Sequence, residues 1–250
     1  MRRGVPVKVD AVNSARPWPT LVVASALTLI CAVAAGVAGS AAGTELTRGP
    51  TAAELRAAAE REVAGRWRTW PTGRIFPATL PYSAEQGGRE RASRIGISPH
   101  TSCGDSVDTK AVKALRRAGC QGVLRATYID ALRGVLVTVG VVALRDELAA
   151  VRAKSAFPGT GKPAPGLRPL AFRGTLSDRF TPAVRQSGSV RQAGPYLVLT
   201  TAGQVDGRPA KSAGEQRPAI FAFATELAER VLTELSTPSI PDCGSQEWRC

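Results

Sequence analysis

The sequence predicts an α+β chain: an N-terminal transmembrane helix, then one extracytoplasmic domain with a mainly antiparallel sheet packed by helices. Three observations carry this. An uncharged run from Pro17 to Thr44 is long enough to cross a bilayer. Stretches rich in Val, Leu and Thr over 121–130, 134–144 and 196–202 read as strands, and 109–118, 147–155 and 218–236 carry helical spacing. Four of the five cysteines follow the apolar run, an even number that suits disulfides in an exported domain.

Five segments follow from this: a cytoplasmic stretch over 1–19, a signal anchor over 20–44, a juxtamembrane linker and helix over 45–66, the domain over 67–240, and a disulfide-bearing tail over 241–250. Leu21 to Val37 are all apolar or small, and Ala38 to Gly43 extend the run. Arg2, Arg3, Lys8 and Arg16 precede it and Glu45 and Arg48 follow. The positive-inside rule then keeps the N-terminus in the cytoplasm and places residues 45–250 outside. A cleavable signal peptide is the rival reading, with small residues at Ala38-Gly39-Ser40 as a cleavage site. The long apolar run, and the 20 residues before it, favour an uncleaved anchor. Leu29-Ile30 before Cys31 argue against a lipid-attachment motif. A helix apolar on every side is no amphipathic core helix.

Beyond the anchor, Thr51-Ala52-Ala53-Glu54 matches a capping box and opens a helix over 52–67. Three prolines and a glycine within 67–82 (WRTWPTGRIFPATLPY) exclude a regular helix there. This segment either wraps over the domain with its rings filling core gaps, or exposes an aromatic groove. In the second case Trp67, Trp70, Phe76 and Tyr82 are the candidate partner-binding residues. Ser83-Ala84-Glu85-Gln86 again resembles a capping box, opening a weak helix that Gly87-Gly88 interrupt. Asp108 is placed to cap a helix over 109–118, and Gly119 to stop it. The strand candidates 121–130 and 134–144 are joined at Ala131–Gly134 in a hairpin. Asp146 caps a helix over 147–155 that packs Leu148, Val151 and Ala149. A Pro/Gly-rich loop over 156–166 precedes a third strand over 167–173. The polar stretch 174–193 gives no clear signal, 196–202 is a strand, and 205–208 is a turn. In the last helix Ile220, Phe221, Ala224, Leu227, Val231, Leu232 and Leu235 share a face. This order suggests helices packed on one face of the sheet.

Composition excludes several functions. The chain has 250 residues, 44% of them hydrophobic and 21% charged, so wholesale disorder is ruled out. Its net charge of +13 divides into +3 for residues 1–44 and +10 for the remainder (29 basic against 19 acidic). Those basic residues are scattered, with Arg116-Arg117 the one adjacent pair after the anchor, so no nucleic-acid-type run is present. Attraction to anionic lipid or wall polymer remains open. A single histidine, His100, excludes multi-His metal sites, and no C-x-x-C is present.

Cys31 lies inside the apolar run. Cys103, Cys120, Cys243 and Cys250 allow three connectivities. Local pairing, Cys103–Cys120 with Cys243–Cys250, is preferred, and the alternative pins the tail to the 103–120 region. No catalytic constellation emerges. Gly104-Asp105-Ser106-Val107 looks like an esterase nucleophile block, but the one histidine lies upstream of it. Gly159-Thr160-Gly161-Lys162 fails the phosphate-loop pattern because Pro163 follows the lysine. Asp130 and Asp146 read as a strand end and a helix cap rather than as a carboxylate pair.

The run Gly65–Tyr82, the pair Gly96-Ile97 followed by Cys103, and the block Gly119–Tyr128 (GCQGVLRATY) together resemble single-pass, membrane-anchored extracytoplasmic proteins of actinobacteria. The resemblance covers most of residues 50–235. It implies an extracytoplasmic domain and a paired Cys103–Cys120, and it brings no catalytic, cofactor or metal residue.

The expectation is thus a non-enzymatic membrane protein without cofactor, whose outer domain meets an envelope or membrane protein. The alternatives are an envelope hydrolase working through carboxylates and a binder of anionic cell-wall polymer.

Overall fold

The computed structural model describes residues 18–159, 161–209 and 218–239, and the chain forms two compact units, 1–51 and 52–250. The first unit holds helix α1 (Trp18–Thr47). Its stretch Leu21–Glu45 is long and apolar enough to cross a membrane, and none of its described side chains is buried. Cys31 is exposed on this helix. The basic residues of 1–17 and the tail cysteines Cys243 and Cys250 lie outside the described residues.

The second unit runs α2 (Ala52–Thr69), a single turn α3 (Thr72–Ile75), β1 (Thr79–Ser83), β2 (Arg89–Ile97), α4 (Thr109–Arg117), β3 (Gly122–Ile129), β4 (Val135–Ala143), α5 (Glu147–Lys154), β5 (Ser187–Ala193), β6 (Tyr196–Gln204) and α6 (Ala222–Ser236). The six strands form one sheet in the order β1-β2-β3-β4-β6-β5, with every neighbouring pair antiparallel. Each of the three hairpins β1–β2, β3–β4 and β5–β6 is followed by a helix.

Helices cover both faces of this sheet, not one. On the first face Leu124, Tyr128, Val137, Val139 and Val198 pack with Val63 of α2 and with Leu227, Val231 and Leu235 of α6. On the second, Val123, Val142, Leu197 and Leu199 pack with Leu115 of α4 and Ala149, Ala150 and Ala153 of α5. The sequence carries the reason. Strands β3 and β4 are buried along their whole length, so they are apolar at nearly every position instead of alternating. Helix α5 meets the sheet through its alanines, Ala149 as expected among them, which leaves Leu148 and Val151 exposed against expectation.

Three further expectations are corrected. Residues 84–88 form the turn of the β1–β2 hairpin rather than a helix, with Gly87 and Gly88 both at positive φ. Residues 167–173 make no strand. Leu167 forms one isolated bridge with Val107, and Pro169 has no N–H to continue a ladder. Asp108 does not cap α4 with its side chain. Its carboxylate accepts from the Gly166 amide at 2.9 Å and from Arg185 Nη1 at 2.8 Å. That tie holds the irregular segment 161–186 across the second face, where Leu167 fills the space above Gly140: a Cβ there would lie 2.5 Å from its Cδ1. Strands β1, β2 and β5 are not read from the sequence, and β5 falls in the polar stretch that gave no clear signal. Strand β5 is a polar edge strand, paired on one side alone with β6.

Two further expectations agree with the structure. Asp146 Oδ1 caps α5 through the Ala149 amide at 2.7 Å. Cys103 and Cys120 are disulfide-bonded across α4, closing a loop worth roughly 3 kcal/mol in the chain-entropy model.

Candidate functional site

The aromatic residues of 67–82 are placed by the packing of α2 and β1 on the first face. Trp67 stands over Gly122 of β3, where a Cβ would come within 2.6 Å of its ring. The Arg68 guanidinium lies over the same ring at 4.6 Å. Two guanidinium groups lie over the Trp70 ring, Arg66 at 4.6 Å and Arg74 at 3.5 Å. Phe76 is wholly buried, and its carbonyl accepts from Arg94. Tyr82 is also buried, stacked against Phe223 of α6 with ring centres 4.8 Å apart. These rings fill the core; they do not line one exposed aromatic groove.

Of the four, Tyr82 alone reaches a cavity. A groove of about 620 Å³ opens at the end of the sheet, within the range of roughly 300–1,000 Å³ common for ligand sites. Four chain segments build it: the β1–β2 turn, the β3–β4 tip, the turn after β6 and the start of α6. Its floor is apolar, made by Tyr82, Val135 and Phe223, with Ile220 and Val205 beside them. At the rim Leu132 is 76% exposed, at the tip of the β3–β4 hairpin. The next residue, Arg133, holds φ at 56°, a left-handed conformation that costs a non-glycine residue on the order of 1–3 kcal/mol. Local bonds hold the tip in place. Asp130 Oδ1 accepts from the amides of Gly134 and Val135, both at 2.8 Å.

Four carboxylates line the groove, from Glu85, Glu90, Asp130 and Asp206, against two guanidinium groups, from Arg133 and Arg208. The Tyr82 hydroxyl donates to Glu90 and accepts from the Ala131 amide at 3.1 Å. Burial, reinforced by the Glu90 bond, pushes the Tyr82 hydroxyl up to about 12. The Arg208 amide and guanidinium hold the Asp206 carboxyl below its usual value. Glu85 lies exposed in the β1–β2 turn, and among the described residues no group hydrogen-bonds its carboxylate.

A second groove, also about 620 Å³, runs between β1 and α6. Its β1 edge is closed to strand addition. Glu226 takes the Ser83 amide at 2.7 Å, and Pro81, two residues earlier on the same side, has no N–H.

The other candidates have structural roles. Ser106 is buried and donates to the Ser102 carbonyl at 2.7 Å. Asp130 and Asp146 sit at opposite ends of β4, each engaged by backbone amides. Among the described residues no group of three or more His, Cys, Asp or Glu is placed to hold a metal.

No described protein family matches the chain, and no curated protein or solved structure is similar to it.

Proposed function

We propose that this is a single-pass membrane protein whose extracytoplasmic domain binds an envelope partner protein in the groove at the hairpin end. The observation that carries the reading is that groove: open, floored by apolar side chains, and rimmed by an exposed leucine next to a strained arginine. A concave site with an apolar floor and a few polar groups at its rim is the usual make-up of a binding pocket. Three of the four carboxylates there accept bonds from local donors, which suits a binding surface better than acid–base work. The four basic residues ahead of α1 orient its N-terminus inward. A disulfide fits an oxidising compartment outside the membrane.

The test is photo-crosslinking in native membranes, with a photoreactive residue at Leu132 or, as control, at Leu148 on α5. The reading predicts one envelope protein captured repeatedly from position 132 and not from 148. Equal capture from both positions contradicts the groove. Capture of wall polymer or lipid alone moves the assignment to a polymer binder.

A further inference from the structure

We infer that the partner enters the hairpin-end groove as an extended segment carrying a lysine or arginine beside an apolar residue; this rests on the groove being the binding site. The argument is charge complementarity set against the rest of the domain. Residues 45–250 carry a net +10, yet among the described residues the groove is lined by four carboxylates and two guanidinium groups, an excess of two negative charges. A site of sign opposite to its surroundings selects locally, because charges more than about 10 Å apart are screened at 0.1 M salt. An anionic polymer chain would meet like charge here.

The positions of the carboxylates say which of them face a ligand. Asp206 is engaged by Arg208 through both oxygens, Asp130 Oδ1 by two amides, and Glu90 by the Tyr82 hydroxyl. Glu85 keeps both oxygens, and Asp130 and Glu90 keep one each. These are acceptors for an ammonium or guanidinium group above the floor of Tyr82 and Phe223. Leu132 adds an apolar contact at the rim. A single cation would meet the carboxylates and leave the apolar floor uncovered. A polypeptide bearing an apolar side chain next to a basic one satisfies both.

The experiment pans a displayed library of random short peptides on the full chain held in lipid nanodiscs. The best binders are then synthesised and titrated against three variants, each in an exposed position: Glu85→Lys, Leu132→Asp, and Leu148→Asp as control. Circular dichroism melts confirm that each variant is folded. The inference expects recovered peptides rich in Lys or Arg next to apolar residues. They should bind about tenfold more weakly to E85K and to L132D, equally to L148D, and more weakly as salt rises. If binding falls on L132D but not on E85K, or the recovered peptides are acidic, the groove stands and the basic partner falls. If binding ignores L132D, or no peptide is recovered, both fall.

Discussion

Arg66 is 2% exposed, and replacing it should destabilise the domain more than any surface change. Its Nη1 donates to the carbonyls of Glu234, Leu235 and Thr237 at 3.1, 3.0 and 2.7 Å. Its Nε and Nη2 engage the Glu62 carboxylate, the closest pair at 2.6 Å. One side chain of α2 therefore caps the C-terminal end of α6, where helix carbonyls lack intrahelical partners and a cation is favoured. Arg66→Ala would leave Glu62 without its cation and three carbonyls without a donor. The Glu62 side chain is 31% exposed and regains water, so the cost comes chiefly from the lost charge-assisted hydrogen bonds, about 1.5–3 kcal/mol. For a domain of this size that lowers Tm by roughly 3–12 °C, at about 2–4 °C per kcal/mol. Arg66→Lys should retain part of this, because a single ammonium cannot span both the carboxylate and the carbonyls. Thermal melts of the detergent-solubilised chain, with the disulfide intact, read both numbers. A cost for Arg66→Ala within about 0.5 kcal/mol, the range of an ordinary surface change, would refute the reasoning.

Other outcomes follow from the same packing. Gly122→Ala should cost about 1–3 kcal/mol, because its Cβ would overlap the Trp67 ring at 2.6 Å; adding Trp67→Leu should recover part of the loss in a denaturation series. Replacing Cys103 and Cys120 by serine should lower stability by roughly 3 kcal/mol in urea unfolding. The chain's three tyrosines should titrate late: burial pushes Tyr82 and Tyr196 from 10.0 to about 12 and raises Tyr128 as well. A raised folded-state value favours the neutral phenol, so the stability it adds is complete below pH 10.0 and is lost as pH rises from there through about 12. Ultraviolet difference spectra of the phenolate report this directly, and a tyrosine ionising at its ordinary value with the fold intact would contradict it.

Much of the fold is legible in the sequence because its strongest signals are local. The uninterrupted apolar run of α1, the hydrophobic stretches of β3, β4 and β6, and the seven-residue apolar face of α6 each announce an element without help from the rest of the chain. What was missed depends on contacts between distant segments. Strand β5 (Ser187–Ala193) is polar because it is an edge, and polar edges look like loops. The two-sided sheet was signalled by the absence of alternation in 121–130 and 134–144, which reads equally well as a buried strand of any kind. Helix α5 buries alanines, so a search for its largest apolar residues picks the wrong face. Arg66 looks like any other surface arginine until α6 is laid against it. The candidate groove is harder still. It gathers Glu85, Leu132, Asp206 and Ile220 from four separate stretches, and its one local hint is a leucine where a hairpin tip is ordinarily polar.

The reading depends first on the domain standing outside a membrane to which the chain stays attached. The measurement that tests this most directly is labelling of intact cells with a membrane-impermeant thiol reagent, using Asn13→Cys ahead of α1 and Leu148→Cys on α5. The account predicts that position 148 is labelled on intact cells, that position 13 is labelled after permeabilisation, and that both remain on a full-length chain in the membrane fraction. Labelling in the opposite order, or recovery of the domain without its N-terminal segment, would contradict it.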